Sequence, residues 1–410
     1  MSKFVCFINL RSMKKILLLL SCFLTAFASF AQDHPIPQRS LLIEADTFPV
    51  VFTQVAMVDT VALLADIQHL QDFGTRNCIK PGGVQAQNWI SDRMQSLGLS
   101  VELQNFPMGG YDASDNVIGT LTGWVNPDEY VVIGGHYDSY AWGDQEPGAD
   151  DNATGTAGVL EAARILGQYK FERSIVFCAF SGEEYGLYGS EAYAARAQQQ
   201  GMNILGYFNI DMSGYNAPGE TIHTDMIAPA SATELSDFYK AVSAIYLPGF
   251  PVLDATVIPG GSDHMSFNNH GYMGIFPCEE DQSYSPFIHT ADDLVGASVN
   301  SLLKVQKFTQ ASLASVATLA IPYDPVGQSE LRDASPVARI YPLPAGDRVT
   351  IGLDRTGPAR VEIFDLAGQK IMTSVMDGRI TLDISGLKPG SYPVRITGRD
   401  FSLGRMMMVK

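Results

Sequence analysis

The sequence predicts an α/β protein with a mixed, mainly parallel sheet covered by helices on both faces, followed by a small all-β sandwich. Three observations support this. From about Asp59 to Ile321, short β-branched apolar runs alternate with amphipathic helical windows, as in parallel sheets. Residues 322–337 are polar, contain Pro and Gly and show no apolar periodicity, which is typical of a linker. Beyond them, apolar residues recur at every second position, so 338–410 is predicted to be the sandwich.

The elements of the first domain follow from the same periodicities, taken in chain order. The predicted helices are 85–97, 156–166, 232–244 and 299–319. The predicted strands are 100–104, 117–122, 131–134, 175–180, 204–210, 221–223 and 274–276. The last helix closes a domain that we place at 32–321.

Composition and the N-terminus limit where the protein works and what it binds. Residues 1–31 combine basic residues, an apolar run and small residues before Gln32, which predicts a secretory signal peptide. A lipoprotein signal around Cys22 is the less favoured alternative. The chain carries 44 acidic and 27 basic residues, a net charge of −17, so we expect no nucleic-acid partner.

Three cysteines follow the predicted signal peptide, so at most one disulfide can form. Cys178 lies within a buried-strand pattern and is predicted to be a core residue. A pair between Cys78 and Cys278 stays open at this stage.

Acidic and imidazole side chains recur at the ends of predicted strands and in two loops. Because the carboxyl ends of parallel strands meet at one edge of a sheet, we expect these side chains to lie together. Each stretch alone is more often structural, for example an acidic turn that caps a helix. Together they offer the ligands of two close zinc ions, including a carboxylate that can bridge them. The stretches are His136 with Asp138, Asp150 with Asp151, Glu183 with Glu184, Asp211, and His289 with Asp292.

In this order, the stretches resemble peptidase family M28, the secreted two-zinc aminopeptidases. Six segments carry the resemblance: HYDS at 136–139, GADDNATG at 148–155, SGEE at 181–184, NIDM at 209–212, GSDHMSF at 261–267 and YSPFIHTADD at 284–293. The resemblance implies the zinc-dependent exopeptidase fold and a hydrolase that removes N-terminal residues from peptides with a free N-terminus.

The resemblance also implies a set of zinc ligands. One zinc is expected on His136 and Asp211, and the second on Glu184 and His289. Asp151 would bridge the two ions.

Further roles follow from the same resemblance. Glu183 is the expected general base and acid, and Asp138 is expected to orient His136. The peptide bond between Asp151 and Asn152 is expected to be cis. The segment 262–264 is expected to cap a helix beside the site. Met212 and Ile288 are expected to line an apolar pocket for the substrate side chain before the scissile bond, and Tyr284 is a further expected substrate-binding residue.

Two departures from the family leave the pocket open. The Cys-x-Tyr-x-Cys of secreted relatives is replaced by IPGG at 258–261, so the group that stabilises the oxyanion is undetermined, with Tyr284 as a candidate. Ile288 stands where other members carry Tyr. The acidic run 279–281 either binds an amine or forms a solvated loop.

Two alternative functions share this scaffold. Glutaminyl cyclases have the same fold and ligand set but use a single zinc, and usually carry a Trp next to the last ligand histidine. GADDNATG and the apolar Ile288 favour the two-zinc peptidase. A non-catalytic exported binding protein would require a lost ligand or base, and none is missing from the sequence.

Residues 338–410 resemble the type A C-terminal sorting domain of the Bacteroidetes type IX secretion system. The matching segments are IYPLPAGD at 340–347, VEIFDLAG at 361–368, LKPGSYPV at 387–394 and MVK at 408–410, with Leu343 where the family usually has Asn. The resemblance implies a tag that binds the type IX machinery and a protein that is secreted or held at the outer cell surface. A carbohydrate-binding sandwich is the alternative. We further expect a monomer.

Overall fold

The computed structural model describes residues 47–143, 145–256, 261–323, 338–342, 344–353, 357–365, 370–398 and 402–410. The predicted signal peptide and most of the predicted linker lie outside these ranges. Among the described helices, none alone is long and apolar enough to cross a membrane. The pair Pro49–Ala56 and Thr60–Asp72 is long and apolar enough when the two helices are taken together, but the pair is bent by 54°.

An eight-stranded mixed sheet lies at the centre of the first domain, in the order β1-β2-β4-β3-β5-β8-β6-β7. The neighbours β4, β3, β5 and β8 are parallel, whereas β1 and β2 extend the sheet antiparallel. The strands are β1 (Ser100–Met108), β2 (Tyr111–Leu121), β3 (Asn126–His136), β4 (Arg173–Phe180), β5 (Asn203–Asn209), β6 (Thr224–Ile227), β7 (Val252–Asp254) and β8 (Gly274–Cys278).

Helices cover both faces of this sheet, as predicted. On one face, α8 packs against α1, α2, α4 and α6, and on the other face α5 packs against α7. The helices are α1 (Pro49–Ala56), α2 (Thr60–Asp72), α3 (Pro81–Ser96), α4 (Gly155–Leu166), α5 (Tyr188–Gln200), α6 (Thr233–Tyr246), α7 (His264–Asn269) and α8 (Leu302–Ala320).

The two faces are filled by alternate residues of the central strands. Val131 and Ile133 of β3 join the core beneath α4 and α8. On the other face, an aromatic cluster includes Tyr207 and Phe267, whose rings stack with centroids 3.9 Å apart. Fully burying an apolar side chain of this size contributes about 1.5–3 kcal/mol. The central strands are therefore fixed from both sides, and their ends are rigid positions for functional side chains.

The sequence located most central elements but misplaced or missed others. Strand 221–223 is wrong, because residues 224–227 rather than 221–223 pair with β7 and β8. The helices α1, α2 and α5 were not predicted. In α5, the sequence YGSEAYAARAQQQ has only weak apolar periodicity, and tertiary contacts decide its conformation.

A separate antiparallel sheet forms the C-terminal domain. Its strands β12 and β13 pair only at Asp377 and Arg379, so the sheet divides into four strands and three strands that share one apolar core. This arrangement confirms the predicted sandwich. The strands are β9 (Ala338–Tyr341), β10 (Arg348–Leu353), β11 (Pro358–Phe364), β12 (Lys370–Asp377), β13 (Arg379–Asp383), β14 (Gly390–Thr397) and β15 (Ser402–Val409).

The cysteines of the described chain are all free and buried. Cys178 lies in β4 with no exposed surface, as expected for a core residue. The pairing of Cys78 with Cys278, which the sequence left open, is not formed.

Candidate metal centre

The first half of the centre stands on the ends of two adjacent parallel strands. His136 is the last residue of β3, and Asp211 follows β5 by two residues. The Nε2 atom of His136 lies 3.4 Å from Oδ1 of Asp211, and the two side chains are 1% and 9% exposed. We call this pair the buried half.

The second half is carried by loops. Glu184 follows β4, and His289 lies in the long connection between β8 and α8. The Nε2 atom of His289 lies 2.9 Å from Oε2 of Glu184, and the His289 side chain is 35% exposed. His289 has φ +56°, a left-handed conformation that is uncommon outside glycine. We call this pair the open half.

Asp151 lies between the two halves, in a kinked turn, Ala149–Thr154, that precedes α4 and is not helical at Asp151 and Asn152. Its Oδ1 atom is 3.2 Å from Nε2 of His136, and its Oδ2 atom is 3.3 Å from Nε2 of His289. The peptide bond between Asp151 and Asn152 is cis, as predicted. The five predicted ligands therefore lie together, in two groups that meet at one carboxylate.

The turn that carries Asp151 is held by hydrogen bonds from distant parts of the chain. Asp293 accepts from the backbone N–H of Asp150 and of Asp151, at 2.8 and 3.0 Å. Asn152 donates to the carbonyl of Ile210 at 2.9 Å. Gly155 is needed here, because a Cβ atom at that position would lie 2.1 Å from the carbonyl oxygen of Ile210.

The two neighbouring aspartates of this turn differ in what their carboxylates bind. The Oδ1 atom of Asp150 accepts the N–H of Gly214 at 2.8 Å, and its Oδ2 atom lies 3.3 Å from the Ser298 hydroxyl. Asp150 is therefore turned into the protein, whereas Asp151 faces the histidines. The residue pattern alone did not separate these roles, whereas the family resemblance assigned the bridge to Asp151.

Asp138 contacts the site in a way that the sequence did not predict. Its carboxylate oxygen lies 3.6 Å from Nδ1 of His136, whereas its backbone carbonyl accepts from Nδ1 at 3.1 Å. The carboxylate instead accepts the backbone N–H groups of Glu183 and Glu184, at 3.2 and 3.4 Å. Asp138 therefore links the end of β3 to the loop that carries both glutamates.

Arg76 is a second residue that sequence reasoning missed. Its guanidinium is completely buried and donates to four backbone carbonyls, including those of Pro147 and Gly148 at 2.6 Å each. Burial lowers the pKa of Arg76 to about 10, although nearby carboxylates oppose the shift. The residue supports the entry to the Asp151 turn, and no local motif marks it.

The donor atoms of the site fit zinc. Among the described residues, His136 Nε2, Glu184 Oε1 and Asp211 Oδ1 are buried without a hydrogen-bond partner. The Nδ1–H of His136 donates to a carbonyl, so its Nε2 lone pair faces the carboxylates. Zinc with bonds of about 2.0–2.1 Å in tetrahedral geometry sets its ligand atoms about 3.3 Å apart. The observed separations of 2.9–3.4 Å lie around this value.

The electrostatics of the pocket also suit a cation. Burial and neighbouring carboxylates raise the pKa of Glu183 well above its usual range, and burial together with Asp151 raises the pKa of Glu184 to about 8. Hydrogen bonds to Asp151 and Glu184 raise the pKa of His289 to about 10. The pocket therefore holds more negative charge than its histidines neutralise, and a bound cation would relieve this repulsion.

The remaining predicted residues lie around these two groups. A carboxylate oxygen of Glu183 lies within 4.8 Å of donor atoms of His136 and Asp211. Met212 is buried and has φ +48°, Ile288 is half-buried, and the Tyr284 side chain is 39% exposed. Their roles in substrate binding stay predictions.

The sequence predicted that the segment 262–264 caps a helix, but its side chains do not do so. Asp263 occupies the N-cap position of α7 but makes no capping hydrogen bond. Instead, the Ser262 hydroxyl donates to Oδ2 of Asp211 at 2.6 Å, which orients a ligand of the buried half. The prediction failed because this side-chain contact joins residues 51 positions apart.

Comparison with known proteins agrees with this arrangement. Residues 116–313 match the sequence model of peptidase family M28, and all five candidate ligands fall within that range. The chain carries an M28 peptidase domain. Residues 339–410 match the secretion system C-terminal sorting domain. Both resemblances drawn from the sequence are confirmed, as is the predicted enzyme class, a metallo-aminopeptidase.

Curated relatives and solved structures extend the comparison over most of the M28 domain. A probable leucine aminopeptidase of Trichophyton verrucosum (strain HKI 0517) is 28% identical over 260 residues, which cover 60% of this chain and 70% of the relative. The LapA aminopeptidase of Legionella pneumophila has a similar fold, with TM-score 0.61, 22% identity and coverage of 69% of this chain and 78% of LapA.

Two further structures share the fold. BSAP, a zinc aminopeptidase from Bacillus subtilis, has TM-score 0.56 and 16% identity, covering 64% of this chain and 96% of BSAP. A glutaminyl cyclase from Bacteroides thetaiotaomicron has TM-score 0.52 and 19% identity, covering 63% of this chain and 98% of the cyclase. The fold alone therefore does not separate these two activities.

Proposed function

We propose that the M28 domain is a two-zinc aminopeptidase that removes the N-terminal residue of peptides outside the cell. The observation that carries the proposal is the position of Asp151, which presents one oxygen to His136 and the other to His289. A carboxylate that faces a histidine on each side suits two metal ions, whereas a single ion would use only one side.

Five residues would hold the zinc pair. His136 and Asp211 would bind one ion, Glu184 and His289 the other, and Asp151 both. The bound ions would supply Lewis acidity to the scissile carbonyl and make a water molecule more acidic. Side chains of the protein would perform every other step.

Glu183 is the proposed general base and acid. It accepts a proton from the attacking water and delivers it to the leaving amine as the C–N bond breaks. The carboxylate of Asp138 holds the backbone of Glu183 and Glu184, so Asp138 positions the base relative to His136. Met212 and Ile288 would line an apolar pocket for the N-terminal side chain, with Tyr284 as the candidate oxyanion donor.

The C-terminal domain supports a proposal about export. We infer that the predicted signal peptide directs the protein across the inner membrane. The C-terminal domain would then bind the type IX secretion machinery. The enzyme would then act as a monomer in the medium or at the outer cell surface.

An assay of the purified protein tests the proposed activity. Leucine p-nitroanilide should be hydrolysed, a chelator should stop the reaction, and N-acetylation of the substrate should abolish it. Glutaminyl peptides should not cyclise. Hydrolysis that survives N-acetylation would rule out an aminopeptidase, and cyclisation would favour the single-zinc alternative.

Glu183→Gln tests the proposed base. We expect kcat to fall by about 10²- to 10⁴-fold while zinc stays bound, because the amide cannot accept the proton. The matched control is Glu191→Gln on α5, an exposed carboxylate that pairs with His270. Normal turnover in Glu183→Gln would contradict its role.

A further inference from the structure

Four aromatic side chains lie in contact beside the open half of the metal centre. Tyr140 lies edge-on to Trp142 and to Tyr185, with ring centroids 5.4 and 6.2 Å apart. Tyr185 in turn meets Tyr111 at 5.2 Å. We call these four residues the aromatic ledge.

The aromatic ledge is joined to the open half by direct contacts. The Tyr140 ring stands perpendicular to the His289 ring, with centroids 5.5 Å apart. The backbone N–H of Trp142 donates to the carbonyl of His289 at 3.2 Å. Tyr185 directly follows Glu184 in the sequence. The ledge is therefore continuous with the site rather than a separate surface feature.

Its outer members are exposed to solvent. Trp142 is 83% exposed and Tyr111 is 52% exposed. Tyr140 and Tyr185 are half-buried between them and the metal ligands. Large exposed aromatic residues that adjoin a catalytic site are typical of binding surfaces.

The exposure of the ligands indicates which part of a substrate reaches this ledge. The side chains of the buried half are 1% and 9% exposed, whereas His289 is 35% exposed. A substrate of an exopeptidase has one residue before the scissile bond and a chain of any length after it. The closed side suits the single residue, and we take the continuing chain to pass His289, which is more exposed than its partner Glu184 at 5%.

We propose that the aromatic ledge binds the side chain of the residue directly after the scissile bond and favours an aromatic residue there. The proposal rests on the aminopeptidase function proposed above. The rings of the ledge already pack edge-to-face. An aromatic side chain of the substrate would pack against them in the same way and would gain a contact with Trp142. A glycine in that position would leave the ledge uncovered.

Trp142→Ala tests the proposal through a ratio of substrates. We expect kcat/KM for leucyl-phenylalanine amide, relative to leucyl-glycine amide, to fall about three- to tenfold, the size of one lost aromatic contact. The change should lie mainly in KM, and Trp142→Phe should restore most of the ratio. The hydrogen bond to His289 uses the backbone, so substitution of the indole leaves it in place.

The matched control is Trp124→Ala. Trp124 is 59% exposed and stacks on Tyr323 with centroids 5.9 Å apart, at the turn between β2 and β3, away from the strand ends that carry the site. Its loss should leave the ratio unchanged. In Trp142→Ala, the preference between leucine and phenylalanine before the scissile bond should also be unchanged. An unaltered phenylalanine-to-glycine ratio, or a change in the preference before the bond, would overturn the proposal.

Calorimetry on zinc-loaded Glu183→Gln protein separates this proposal from the proposed activity. Leucyl-phenylalanine amide should bind more tightly than leucyl-glycine amide, and the added Trp142→Ala change should remove the difference. Equal binding of the two amides would refute the ledge whatever the turnover. Tight binding with no turnover by the wild type would refute only the peptidase function.

Discussion

The two halves of the candidate metal centre obtain their geometry in different ways. His136 and Asp211 stand at the ends of neighbouring parallel strands, whose backbones are hydrogen-bonded to each other. Glu184 and His289 lie on loops. The backbone N–H of Glu184 donates to the carboxylate of Asp138, and the carbonyl of His289 accepts from the backbone N–H of Trp142. One half is fixed by the sheet, and the other by long-range hydrogen bonds.

This difference predicts how the site behaves when it is disturbed. A ligand pair on rigid strands keeps its spacing without a metal, whereas a loop-borne pair relaxes when one anchor is lost. We therefore expect the open half to bind its metal more weakly and to release it first. The open half also adjoins the aromatic ledge, where we propose that the substrate residue after the scissile bond binds.

Asp293→Asn should widen the difference between the halves. The Asp293 carboxylate accepts hydrogen bonds from two backbone N–H groups at the Asp151 turn. The side-chain amide of asparagine offers only one acceptor oxygen. We expect zinc affinity to fall about 10- to 100-fold, most strongly at the open half, because no strand end holds Glu184 and His289 in place when the Asp151 turn shifts. Competition with a chromogenic chelator measures both sites.

The neighbouring exposed aspartate provides the control for that experiment. Asp292→Asn should leave both affinities unchanged, because its side chain lies on the surface. An equal loss at both sites in Asp293→Asn would mean that the anchor serves the whole centre, and the distinction between the halves would not hold.

His264, the first residue of α7, should make the stability of the fold sensitive to acid. Burial lowers the pKa of His264 to about 4, and its unfolded value is about 6.5. Between these values only the unfolded chain binds the proton. The stabilisation is therefore fully present above pH 6.5 and declines as the pH falls towards 4, by roughly 3 kcal/mol in total.

Urea unfolding of the metal-free protein at pH 6.5 and 4.5 checks this effect. His264→Gln should lose less stability than the wild type across the interval, because glutamine binds no proton. Parallel losses in the two proteins would show that His264 is protonated without cost in the folded state.

The sequence predicted the parts of the site that depend on local pattern. Buried β-branched runs end at His136, Glu183 and Asp211, and a sheet brings such ends together regardless of detail. The GADDNATG segment located the turn between the halves. The five candidate ligands, which the family resemblance singled out, were therefore expected to lie together without any knowledge of contacts.

Residues that act through distant partners could not be found in this way. The contact of Arg76 with Gly148 spans 72 positions, and that of Asp293 with Asp151 spans 142. No local pattern marks Arg76, and Asp293 ends the 284–293 segment without a role that the sequence could assign to it. The family resemblance assigned Asp138 to His136, which it contacts through its backbone carbonyl, whereas the contact of its carboxylate with the Glu183–Glu184 loop is one that only the fold creates.

The central claim is that one carboxylate joins two metal sites, and titration of the metal-free protein with zinc tests it most directly. Calorimetry should show two zinc ions per chain, with different affinities, and His289→Ala should keep one ion, bound at the buried half. A single zinc ion in the wild type, or loss of both ions in His289→Ala, would contradict the account.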